Sequence, residues 1–149
     1  MKDRTRARGI ALQALYELDI TDHPAGTVLT ERMADADLDE DLIHFFRRIV
    51  LGVLPIREEL DHFIAEHAPD WPLDQVAVID RNILRIALWE FAIADDIPLK
   101  VAINEAVELA KIYGSDSAPR FVNGVLGSLA DRQNEIIQAL QQIQTRDAE

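Results

Sequence analysis

Four histidines and no cysteine limit the chemistry open to this 149-residue chain. Without thiols, disulfides, thiolate metal sites and cysteine nucleophiles are excluded. The sequence contains no glycine-rich phosphate loop, no Gly-x-Ser-x-Gly elbow and no His-Glu-x-x-His helix. His62 and His67 stand five residues apart, which turns them to different faces of one helix and makes them poor joint ligands. With Asp61 and Glu66 beside them, and Glu40 and Asp41 beside His44, these histidines read as surface charge. No catalytic residue, metal or cofactor is expected, and the chain is read as a non-enzyme.

Binding chemistry is better represented. Lys2, Arg4, Arg6 and Arg8 fall within eight residues that hold one acid, Asp3, whereas the whole chain carries a net charge of −12. The pattern is a basic leading arm on an acidic body. Taken alone, the charge favours a solubilising terminus, but basic groups so placed could also follow a phosphate backbone. Two further residues break the surrounding pattern. Tyr16 lies opposite the main apolar stripe of its helix, in line with Leu12 and Ile20, and this strip could either pack within the second bundle or contact a partner or a base. Glu90 falls in the middle of the stripe Ile79, Ile83, Ile86 and Ala87. A buried carboxylate is costly unless paired. Glu90 therefore either forms an internal ion pair with a base from another helix or lies exposed until a partner covers it. Asp80 has similar apolar neighbours, and an internal pair with an arginine is expected there.

These residues must be positioned by helices, because apolar residues recur at three- and four-residue steps and no strand alternation appears. The first helix spans about 5–20, with Ala7, Ile10, Ala11, Ala14, Leu15 and Leu18 as its stripe. Arg6 and Arg8 flank that stripe and Arg4 lies nearly over it, so Lys2 and Arg4 belong ahead of the helix or in its loose first turn. A second helix covers about 27–35. Asp39 is placed to cap a third, carrying Leu42, Ile43, Phe46, Ile49, Val50 and Val53. Pro55 predicts a break, after which the pattern resumes to about residue 68. Pro69-Asp70-Trp71-Pro72 marks the hinge. The helix over 74–94 is apolar almost all round, with Arg81, Asn82 and Arg85 as a polar strip, and must be surrounded. Asp95, Asp96 and Pro98 turn the chain into a helix over about 100–113 that ends at Gly114. Ser117 could cap a last helix running to about 131 or on to 143. Gly124 and Gly127, about one turn apart, are expected to admit a neighbouring helix, and QQIQTRDAE to fray. The expected fold is all-α, with six or seven helices: an N-terminal bundle over 1–68, a linker over 69–73 and a C-terminal bundle over 74–149. No apolar run approaches the ~18 residues of a membrane span. The N-terminus lacks the apolar core of a signal peptide, so a cytoplasmic protein is expected.

The stretch IDRNILRIALWE (79–90), then IPLKVAINEAVELAK (97–111), Tyr113-Gly114 and RFVNGVL (120–126) resembles the C-terminal half of the NusB family. RTRARGIALQALYE (4–17) is similar to that family's arginine-rich arm and first helix, and Trp71-Pro72-Leu73 to its linker. Residues 22–68 match mainly in pattern and length. Where the family commonly has a charged residue after Asn-Gly-Val-Leu, this chain has Gly127-Ser128. The resemblance implies two roughly perpendicular helical bundles and transcription antitermination. It implies binding of boxA RNA, chiefly of ribosomal RNA operons, together with the small-subunit ribosomal protein NusE, with other Nus factors and RNA polymerase engaged indirectly. It places Lys2, Arg4, Arg6 and Arg8 on the RNA, with Lys111, Arg120 and Asn123 as further RNA candidates, and Tyr16 and Glu90 at or near NusE. Two other readings are a helical interaction adaptor without RNA contact and a stand-alone relative of the NusB-like domain of RNA methyltransferases.

Overall fold

A computed structural model describes residues 2–68, 75–94 and 96–148, with side chains to residue 143. Its elements are α1 (Asp3–Ile20), α2 (Ala25–Asp35), α3 (Glu40–Val53), a 3-10 turn (Leu54–Ile56), α4 (Arg57–Glu66), α5 (Val78–Ala92), α6 (Leu99–Tyr113), α7 (Ala118–Ala130) and α8 (Gln133–Ala148). No strand occurs among the described residues. No described helix is long and apolar enough to cross a membrane.

Local chemistry accounts for several boundaries. Asp39 caps α3 as expected, its Oδ1 accepting from the Leu42 N–H at 3.0 Å. Glu40 and Asp41 follow in the first turn, where the helix dipole favours acids. Pro55 lacks an N–H, and the chain tightens there into the 3-10 turn before α4 resumes. Helix α5 is buried from Asn82 to Ala92. It packs against α1, α3 and α4 as well as α6, α7 and α8. One core cluster therefore runs from Ala7 in α1 to Leu140 in α8. α5 is thus packed on by helices from both ends of the chain.

The structure corrects four expectations. The stretch after 118 is two helices, α7 and α8, parted at Asp131 and Arg132, so the described residues hold eight α-helices where six or seven were expected. The tail expected to fray continues α8 to Ala148. Ser117 makes no side-chain cap bond, and its hydroxyl lies 3.4 Å from that of Ser115. A Cβ at Gly124 or Gly127 would meet no described residue within 4 Å, so these glycines do not admit a neighbouring helix among the described residues. The hinge Pro69-Asp70-Trp71-Pro72, the 69–73 linker and Asp95 of the following turn lie outside the described residues.

Candidate nucleic-acid interface

The basic arm is built into α1. Lys2 occupies its N-cap position and Arg4 its first turn. Lys2, Arg4 and Arg6 are exposed, whereas Arg8 is buried. The Arg4 guanidinium lies 4.5 Å from the centroid of the Phe45 ring on α3. Arg6 donates through Nη2 to the Asp37 carbonyl between α2 and α3. Lys2 lines a hollow of about 450 Å³ with Thr5, Asn104, Glu105 and Glu108. Glu108 also lies 4.0 Å from Lys111 on α6, so the two lysines stand near one carboxylate.

Arg8 and Glu90, which the resemblance placed on the RNA and at or near NusE, are both buried. Both side chains are only 2% exposed. Arg8 Nε donates to Glu90 Oε1 at 2.8 Å and Nη2 to Oε2 at 3.0 Å. Arg8 Nη1 lies 3.5 Å from Glu105 Oε2, which accepts from the Thr5 hydroxyl at 2.8 Å. The open question about Glu90 is thus answered by an internal pair, and in this conformation neither charge reaches a surface partner. Burial pushes the Glu90 carboxyl above the usual carboxylate range, against the pull of the Arg8 guanidinium.

A second network lies in the polar strip of α5. Asn82 and Arg85 are buried. Arg85 meets Asp61 of α4 with Nε–Oδ1 at 2.7 Å and Nη2–Oδ2 at 2.6 Å, and its Nη1 reaches Asp19 of α1 at 2.7 Å. Asn82 donates to the same Asp19 oxygen at 2.8 Å, and Arg57 pairs with the other at 3.0 Å. Burial opposes the Arg85 charge, but the two aspartates hold its pKa above the ordinary arginine value. Asp61, beside His62 in the sequence, is thereby part of the network that ties α4 and α1 to α5.

The remaining candidates lie apart. Tyr16 is 36% and Ile20 53% exposed, while Leu12 in the same strip is fully buried, so this face of α1 opens towards its C-terminal end. Arg120 and Asn123 are exposed on α7. Arg120 lines a cavity of about 320 Å³ with Gln75, Val76, Ala77, Asp80, Ser117 and Phe121. Asp80, expected to pair with an arginine, is 8% exposed, and its buried Oδ1 has no hydrogen-bond partner among the described residues. Burial raises its pKa. Ser128, in the region where the chain departs from the family pattern, lies 2.7 Å from His67 Nδ1 and ties α7 to the end of α4. Phe45, Glu105 and Asp19 were not singled out from sequence. They are long-range partners of residues that were, and nothing local marks them.

A family model described as the NusB family matches residues 5–131. The transcription antitermination protein NusB of Roseiflexus castenholzii is 50% identical over 134 residues, covering 89% of this chain and 94% of that protein. Among solved structures, T. maritima NusB superposes with a TM-score of 0.80 at 32% identity, covering 91% of this chain and 96% of the other. A complex described as antitermination factors NusB and NusE with double-stranded RNA matches with a TM-score of 0.76 at 26% identity, covering 93% and 98%.

Proposed function

The chain belongs to the NusB family, and from that premise we propose that it is a transcription antitermination factor that binds boxA RNA jointly with NusE. The observation that carries the reading is the exposed trio Lys2, Arg4 and Arg6 at the start of α1, held against an acidic body. These three supply phosphate contacts, the sequence-independent part of RNA affinity. Lys111, Arg120 and Asn123 add RNA contacts from α6 and α7. Tyr16, on the opening face of α1, contacts NusE. Arg8 and Glu90 act from inside, fixing α1 on α5 so that the arm is presented in one orientation. NusE, for its part, brings positive charge to an RNA site on a negatively charged partner.

The protein works by scaffolding rather than catalysis, in the cytoplasm where nascent RNA meets polymerase, and other Nus factors join through the assembled complex. A fluorescence titration tests the reading. BoxA RNA should bind weakly to the isolated chain and more tightly when NusE is added, while a scrambled RNA should gain less. Equal binding of boxA and scrambled RNA in the presence of NusE would overturn the proposal.

A further inference from the structure

Among the described residues, three arginines lie over aromatic rings. Arg4 and Arg8 sit 4.5 and 5.0 Å from the centroid of Phe45, and Arg48 sits 5.6 Å from that of Trp89. Their N–H groups are used differently. Those of Arg8 go to Glu90, and those of Arg48 to Asp96 and the Ala94 carbonyl. Arg4 makes no hydrogen bond or ion pair with any described residue. Its exposed guanidinium rests on the ring, with the carboxylates of Glu90 and Asp96 attracting it from beyond hydrogen-bond range.

That arrangement gains little for α1. A cation in the first turn of a helix opposes the dipole, so Arg4 is placed against the helix's own electrostatic preference. An arginine held by a carboxylate would already have its donors occupied. One held by an aromatic face keeps all five N–H donors while losing side-chain freedom. The platform itself is fixed. Phe45 is 5% exposed in the core, and its other cation, Arg8, is locked by the buried Glu90 carboxylate.

We propose that Phe45 is a positioning residue for RNA binding: its ring pre-orders the Arg4 guanidinium so that its N–H groups are presented to a phosphate of the RNA. The proposal rests on the function given above and adds to it the reason an arm arginine is ordered before RNA arrives. Part of the entropy that a long side chain loses on binding is thereby lost in advance.

A double-mutant cycle on the full chain with NusE and boxA RNA tests it. Phe45→Leu keeps an apolar side chain but removes the ring, and should weaken RNA binding about 2- to 5-fold, the range of an exposed cation–π contact. In an Arg4→Ala background the same change should have no effect, and Phe45→Tyr should retain native affinity. Equal losses with and without Arg4 would show Phe45 to be a packing residue only and overturn the proposal, as would no loss at all. Should Phe45→Leu fail to fold, the native protein supplies the measurement. The Arg4 side-chain proton resonances should be shifted upfield by the ring and should move when boxA RNA is added, and random-coil values would overturn the proposal. If the native chain with NusE binds no boxA RNA, the functional reading falls and this one with it. An Arg4-independent loss removes this one alone.

Discussion

Arg8 and Glu90, 82 residues apart, meet in a two-point ion pair sealed between α1 and α5. Each charge has lost its water, and each is tolerated because the other supplies both hydrogen bonds and countercharge. Replacing such a pair by matched apolar groups is often close to neutral, whereas removing one member leaves an uncompensated buried charge, at about 3–5 kcal/mol. The pair is therefore a constraint on geometry more than a source of stability. It determines how the arm leaves the body.

Glu90→Gln should accordingly destabilise the fold by about 3 kcal/mol, lowering Tm by roughly 6–12 °C for a chain of this size. Arg8→Met combined with Glu90→Leu should come back to within about 1 kcal/mol of the native protein. Thermal unfolding followed by circular dichroism decides. A Glu90→Gln protein of native stability that had lost only NusE binding would return Glu90 to the surface.

How far these contacts could be read in advance depends on their range in sequence. The Asp39 cap, the Pro55 break and the encircled α5 are consequences of residues within one or two turns, and the sequence pattern contains them. Glu90 stood out because a carboxylate interrupts an apolar stripe. Its partner did not, because Arg8 looks like one more member of a basic run. Asn82 and Arg85 stand out as a polar strip, but their partners do not: Asp19 and Asp61, which make their burial possible, lie 63 and 24 residues away. Helical periodicity locates faces. It does not say which polar face will find its countercharge inside.

The arm's share of RNA affinity should appear in its salt dependence. With Arg8 withdrawn into the core, three arm contacts at ~0.7 per phosphate on a single strand predict a contribution to the log–log slope of about −2. Arg4→Gln and Arg6→Gln should each reduce the magnitude of the slope by about 0.7 without unfolding the protein. Slopes unchanged in both variants would remove the arm from the RNA site.

Two glycines should respond oppositely to alanine. A Cβ at Gly52 on α3 would sit 2.4 Å from the Trp89 indole, so Gly52→Ala must displace a ring packed in the core and should cost about 1–3 kcal/mol. A Cβ at Gly127 inside α7 would meet no described residue within 4 Å, and Gly127→Ala should stabilise by about 0.5–1 kcal/mol through helix propensity. Urea denaturation of the two variants checks both signs. A destabilising Gly127→Ala would mean that the open face of α7 is occupied.

Asp80 should make stability depend on pH. Its carboxyl lies at the base of the Arg120 cavity with a buried oxygen left unsatisfied by the described residues, and burial raises its pKa above the ordinary 3.8. In the window above 3.8 the folded state holds the Asp80 proton more tightly than the unfolded state does, so this group's contribution becomes less favourable as pH rises through the window. At neutral pH the ionised carboxylate bears its full desolvation cost, and below the unfolded value both states are protonated and the cost vanishes. Asp80→Asn removes the charge with almost no change of shape. The variant should be more stable than the native protein at pH 7, on the order of 1 kcal/mol for relief of one poorly satisfied buried group. That advantage should shrink as pH is lowered towards the ordinary carboxylate range. Chemical denaturation of both proteins across that range measures it, and an advantage constant with pH would mean that the Asp80 carboxylate is solvated or paired in the folded protein.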